Sequence, residues 1–351
     1  MTVEGADAEG QPARVGVRHA TAALRLALAA HPHAAVGQLM AAVLGGLGPV
    51  AVAWLTKIIL DRVAAGTSGT QSSMFGLAVA LVAVGVLAAA LPHLERYWRA
   101  ELDRATGVLA RDRLFTALDR LRGLARLENP TFHDRLQLAV DSGRLSPPTV
   151  LAGSVDLVRG GLTIGGFTAS LLLLSPLVTV VVLIGAVPVA IAEFTLARRR
   201  ARMLWEIEPW QRREMFYAHL LSGTRAAQEV RLFGLGRFFR TRMVTELRAI
   251  NAAEHRVDRR EVGVQGLLAV LSAGIAGYGL IWVVQAATNG AVSVGDVAVF
   301  VAAVAGVQVA LATGVEQAAQ IHQALLLFDH YLTVTSVRPD LPVPPEPHGV
   351  P

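Results

Sequence analysis

Long apolar stretches, separated by alternately short and long polar connections, dominate the pattern of this chain. The stretches run approximately from Ala35 to Leu60, Met74 to Leu94, Thr149 to Leu174, Leu177 to Ala197, Val262 to Ala287 and Val297 to Gly314. A helix that crosses a bilayer needs about 20 predominantly apolar residues, so each stretch predicts one transmembrane helix. The expected fold is all-α, a membrane protein of six spanning helices. Three connections are short and carry turn-forming residues: AAGTSGTQSS, the pair Ser175-Pro176, and ATNGAVSVGD. The other two, from Glu95 to Pro148 and from Arg198 to Glu261, are long and rich in arginine.

The long connections do not read as loops. From Glu95 to Arg122 there is no proline, Gly107 is isolated, and Leu102, Ala105, Leu109, Leu114, Leu118 and Leu121 recur at helical spacing. An unbroken helix from residue 74 to 122 would be roughly 70 Å long, against a hydrocarbon core about 30 Å thick. The second helix is therefore expected to project far beyond the bilayer. The fourth and fifth should do the same, through Arg198–Tyr217 and Arg237–Arg260. Residues 1–34 are polar and then mildly amphipathic, and His19–Ala30 predicts a short elbow helix on the membrane surface. Its apolar run is short and is followed by HPHAA rather than a cleavage site, so no removable signal peptide is expected.

Composition agrees with this pattern. The 351 residues are 53% hydrophobic and only 17% charged, below the roughly 25% charge of soluble domains. There is no cysteine, which excludes disulfides and thiolate metal sites. The net charge of +5 would suit nucleic acid, but its placement argues otherwise. With the amino terminus inside, 30 of the 32 Lys and Arg residues fall on the inner side, leaving Lys57 and Arg62 outside. Bacterial membrane proteins accumulate basic residues in cytoplasmic loops, so both termini are expected to be cytoplasmic, in a bacterial inner membrane. The surplus charge is then a topology signal, and no nucleic-acid partner is expected.

The most informative motif is LARLENPTFHDRLQLA, from Leu124 to Ala139. Asn129-Pro130 breaks the preceding helix, and Thr131 can cap a short helix carrying Phe132, Leu136 and Leu138 with Asp134 near its start. The plain alternative is a solvated turn between two helices. A second stretch, SGTRAAQEVRLFGLGRFFRTRM, runs from Ser222 to Met243, and a third, GAVSVGD, from Gly290 to Asp296. Together these resemble the transmembrane domain of bacterial ABC exporters. The first resembles the intracellular loop that holds a coupling helix, with Leu127 where the family has an aromatic residue. The second resembles the other intracellular loop, with Arg231, Phe233 and Gly234 matching its basic-Phe-Gly pattern. The third resembles the turn before the sixth helix.

The resemblance implies a six-helix transmembrane domain over residues 35–335 and a Pro-rich linker over 336–351. It implies an ATPase domain as partner, fused or separate, a second transmembrane half forming a homo- or heterodimer, and the lipid bilayer as solvent. Coupling to the ATPase domain would pass through Glu128, Pro130, Phe132, Asp134, Arg135, Ser222, Arg225 and Glu229, with Phe132 as an aromatic knob. ATP and Mg would belong to the partner, and the chain itself is expected to need no cofactor. A phosphate-binding loop requires G-x-x-x-x-G-K-[ST], yet Lys57, the only lysine, sits in WLTKIIL. No Ser-His-acid or paired-carboxylate arrangement can be placed either, so no catalysis is expected on this chain.

Polar residues inside apolar helices are costly and usually face a cavity. Gln265, Gln308, Glu316 and Gln320 are the candidates for a substrate path, and Glu193 is expected at the interface near Arg198. Gly161 and Gly165 form a G-x-x-x-G that would allow close helix approach, and His31 and His33 form a bare histidine pair. Two other readings stand beside the fused exporter: a lone permease served by a separate ATPase, and a membrane receptor or scaffold with a non-ATPase partner.

Overall fold

The computed structural model describes residues 12–65, 71–121, 123, 130–174, 176–289 and 292–337. Among these the regular structure is helical throughout: α1 (Pro12–Ala30), α2 (Pro32–Ala64), α3 (Gln71–Asp119), α4 (Pro130–Leu174), α5 (Pro176–Ser222), α6 (Thr224–Leu232), α7 (Gly236–Thr288) and α8 (Val294–Thr335). Each apolar stretch lies within one long helix. By length and composition α2, α3, α4 and α8 are able to cross a membrane. The 49 residues of α3 run unbroken through Pro92, so the second apolar stretch and the polar stretch after it are one rod.

The chain divides into two compact units, Met1–Pro176 with Val283–Pro351, and Leu177–Trp282. The first unit contains α1 to α4 and α8. Its most extensive contact is between α4 and α8. One core cluster joins Ala23 and Leu26 of α1, Ala110 and Leu114 of α3, Ala139 and Val150 of α4, and Phe328 and Tyr331 of α8. Phe328 and Tyr331 stack with their rings 5.2 Å apart, and the Tyr331 hydroxyl donates to the Ala110 carbonyl at 3.2 Å. On α3 and α8 this cluster lies beyond the apolar stretches. Water is the alternative there, and burying Phe328 stabilises the unit by about 2–3 kcal/mol. The elbow helix starts earlier than expected, at Pro12, and its apolar face belongs to this core.

Along α2, α4 and α8 glycines set the helix spacing, since a residue without a Cβ lets the next helix approach closely. Gly143 of α4 receives the Tyr331 ring, and Gly306 of α8 receives Phe167. A Cβ on Gly153 would lie 2.7 Å from Ile321 Cγ1, and one on Gly46 would lie 2.8 Å from the Arg159 carbonyl oxygen. Gly161 and Gly165, whose G-x-x-x-G spacing is as readily a chance match in a chain rich in glycine and alanine, meet nothing within 4 Å among the described residues. Their immediate neighbours Gly160 and Gly166 make the contacts instead, to Ala310 and Val50. Pro49 interrupts the α2 hydrogen-bond ladder at this level, and the Thr163 hydroxyl donates to the Gly46 carbonyl at 2.9 Å.

The short helix expected around Thr131–Leu138 is not separate. Pro130 opens α4, which continues to Leu174 through the tandem Pro147-Pro148. Both prolines are buried, beside Ser146 and Val150. Tertiary contact with α8 here outweighs the ladder bonds that proline removes. One rod ends at Asp119 and Pro130 starts the next, with no further break at 147.

The second unit is an antiparallel pair, α5 and α7, joined by α6. Its core is Ile207 with Ile250 and Ala253, flanked by Met203 and Trp210. The Arg200 guanidinium donates to Glu261 at 2.8 and 3.0 Å, Arg213 pairs with Glu246 at 3.7 Å, and Tyr217 stacks on Phe239 at 6.1 Å. These contacts fix the register of the pair along its polar length.

Candidate functional site

The strongest candidate is the tip of the second unit. Gly223 takes an extended backbone conformation at the start of α6, and a Cβ there would lie 2.7 Å from the His219 carbonyl oxygen. Only glycine fits between the end of α5 and the start of α6. Nine residues later the chain turns again. Leu235 N–H donates to the Val230 carbonyl at 2.9 Å and Gly234 N–H to Arg231 at 3.2 Å, with Gly234 at φ +63°. This is a Schellman turn, whose left-handed residue is normally glycine. The sequence GTRAAQEVRLFGLG is thus a short helix bounded by two glycine-dependent corners.

The corners set what α6 presents. Val230 is turned inward, 9% exposed, while Leu232 is 80% and Phe233 68% exposed. Phe238 is half-exposed at the start of α7, with the Arg242 guanidinium 5.1 Å from its ring centroid. Arg231, Arg237 and Arg240, close in sequence to this apolar knob, are all exposed. From the Arg200–Glu261 pair to this tip is about 33 to 38 Å along α5 and α7. A rigid rod ending in exposed leucine and phenylalanine has the form of a contact surface.

The other coupling candidates are distributed unevenly. Ser222 donates its hydroxyl to the Ala218 carbonyl at 2.8 Å, closing α5, and Glu229 is exposed on α6. Glu128 lies outside the described residues, as do the side chains of Pro130, Asp134 and Arg225. Arg135 is exposed in the first turns of α4. Phe132 is half-buried against the core cluster of α1, α3, α4 and α8, so it is a packing residue of its own unit before it is anything else.

Of the substrate-path candidates, Glu316 and Gln320 hydrogen-bond to each other at 3.2 Å on an exposed face of α8. Gln308 is partly exposed on the same helix. Gln265 is exposed on α7 and lies 3.4 Å from Glu261, so it belongs to the Arg200 ion pair. Arg198 folds over the Phe194 ring at 4.3 Å. His31 caps α2, its Nδ1 accepting from Ala34 N–H at 3.1 Å.

Two ion clusters went unremarked in the sequence. At the junction of α2 and α8, Lys57 Nζ pairs with Asp296, with Asp61 at 3.4 Å, and donates to Ser293 Oγ at 3.2 Å. Asp61 accepts from Gly295 N–H at 2.8 Å, and Asp296 and Ser293 form a capping box that starts α8. A Cβ on Gly295 would lie 2.5 Å from the Lys57 carbonyl oxygen, so α2 and α8 touch here backbone to backbone. In the first unit Arg159 pairs with Glu95 and lies 3.8 Å from Asp156, which Arg99 approaches at 3.5 Å. Two arginines and two carboxylates thus neutralise one another between α3 and α4. The signal was present in Asp156 and Arg159, one turn apart within an apolar stretch. Comparison with protein-family models and with curated protein sequences returned no match for this chain.

Proposed function

We propose that this chain is the membrane-spanning half of an ATP-driven exporter of the ABC type, working with an ATPase domain and a second transmembrane half. The observation that carries the reading is α6: a short helix with an exposed Leu232–Phe233 knob, held about 33 to 38 Å from the Arg200–Glu261 pair by two long rods. In this reading six helices span the bilayer and the α6 tip lies in the cytoplasm. The ATPase domain receives the knob, and its closure moves the α5–α7 rods as a rigid body between two states. Glu316 and Gln320 support a polar path along α8, since a carboxylate on an otherwise apolar helix face is poorly suited to lipid.

Topology is the first test. Cysteines introduced at Ser68 and Asn289 are expected to react with an impermeant thiol reagent in intact cells, while one at Ser222 stays unlabelled until the membrane is opened. The natural absence of cysteine makes each label unique. Labelling at Ser222 in intact cells, with Ser68 and Asn289 protected, would refute the arrangement.

A further inference from the structure

The exposed face of α5 has the form of a lipid site. Val180, Ile184, Val187, Ile191 and Phe194 are each at least half exposed, and their spacing places them on one side of the helix. Arg198 and Arg202 continue the same face one and two turns further on, both exposed. From Val180 to Phe194 the apolar stripe is about 21 Å long, more than the roughly 15 Å of one leaflet's hydrocarbon. The Arg198 guanidinium lies over the Phe194 ring at 4.3 Å, so the charge sits at the end of the stripe.

Nearby charges leave this pair without an anion. Arg200, on another face, takes Glu261, and among the described residues no carboxylate ion-pairs with Arg198 or Arg202. Arg99, Arg104 and Arg159 of α3 and α4, by contrast, each have a carboxylate partner, as Arg200 does. What sets Arg198 and Arg202 apart from other arginines without one is their place at the end of an apolar stripe. Guanidinium groups suit phosphate, which they bind through paired N–H donors.

Resting on the reading that α5 spans the bilayer, we infer that this face binds an anionic phospholipid of the cytoplasmic leaflet. One acyl chain lies along Val180–Phe194, and the headgroup phosphate sits between Arg198 and Arg202. Charge selects this occupant over a second copy of the same face: two copies inserted in one orientation would pack α5 parallel and bring both arginine pairs together with no anion between them.

The test uses the full chain with Thr195→Cys, an exposed position beside the stripe, carrying a bimane fluorophore. It is reconstituted in vesicles of equal phosphatidylglycerol and phosphatidylcholine, with brominated chains on one lipid or the other. The site is expected to hold phosphatidylglycerol about ten times as often as phosphatidylcholine, read as stronger quenching by the brominated anionic lipid. Arg198→Gln with Arg202→Gln should bring the preference to about one, while Arg240→Gln with Arg248→Gln keeps it. Equal quenching by both lipids in the unsubstituted background would overturn the lipid site and leave the spanning reading intact. Quenching by neither, in a monomer, would show that α5 lies outside the bilayer and would overturn both. Quenching by neither, in a dimer, would assign the face to a second copy instead.

Discussion

On the proposed exporter reading, replacing Leu232 and Phe233 together by alanine uncouples transport from ATP hydrolysis while leaving the fold of the chain intact. Both side chains are more than two-thirds exposed, so their loss removes almost no internal contact. The Schellman turn is made by backbone groups and by Gly234, which the substitutions do not touch. Aromatic anchors buried at a partner surface typically contribute 2 kcal/mol or more to binding, and charges at the rim contribute little. Retention of the ATPase domain should therefore fall about thirtyfold or more, and ATP-driven transport with it. Arg144→Ala, on the exposed side of α4, should change neither. Phe132→Ala is a poorer test, because Phe132 packs against the core cluster and its loss also weakens the bundle. The measurements are pull-down of the ATPase domain and transport in vesicles, with helical content checked by circular dichroism. Full retention and full transport in the double variant would remove α6 from the coupling path.

The second large effect is expected at the chain's single lysine. Lys57→Met keeps the length and most of the apolar stem but removes the cation between Asp61 and Asp296. Asp296 is 8% exposed and cannot turn to water without abandoning the capping box of α8. Removing one partner of a buried pair costs about 3–5 kcal/mol, most of it from the charge left behind. Both carboxylates are stranded here, but Asp61 keeps the Gly295 N–H, so the lower part of that range is expected. The readout is thermal unfolding in detergent, with a clear drop in the melting temperature. Adding Asp296→Asn to Lys57→Met should recover part of the loss, because asparagine retains the cap and carries no charge. An unchanged melting temperature in Lys57→Met would show that the cluster contributes nothing to the α2–α8 junction.

Much of the fold was legible because bilayer physics writes in long strokes. Each of the six apolar stretches lies within one long helix, and the missing proline between Glu95 and Arg122 foretold the continuous α3. The short helix bounded by glycines within Ser222–Met243 was not predicted, since the stretch carried only a loop resemblance. Pro147-Pro148 is buried inside one continuous helix, and Gly161 and Gly165 meet no described neighbour within 4 Å while Gly160 and Gly166 do. Neither effect can be seen without knowing which face of α4 meets α8.

The candidate site was less legible for the same reason. Sequence resemblance pointed to Phe132 and to Ser222, Arg225 and Glu229, whereas exposure singles out Leu232 and Phe233, the latter noted only as part of a basic-Phe-Gly pattern. Lys57 read as an isolated charge because its partner Asp296 lies in a distant helix. Glu95 and Arg159 are likewise brought together only by the crossing of α3 and α4.

The most direct measurement places a photo-crosslinking amino acid at position 233 of the full chain and irradiates intact cells. An exporter half docked through α6 should give one dominant adduct, identified by mass spectrometry as an ATPase domain containing G-x-x-x-x-G-K-[ST], fused or separate. The adduct should be lost when the crosslinker is moved to position 144. Adducts at position 233 with lipid alone, or with a protein that has no phosphate-binding loop, would contradict the assignment and favour the scaffold reading.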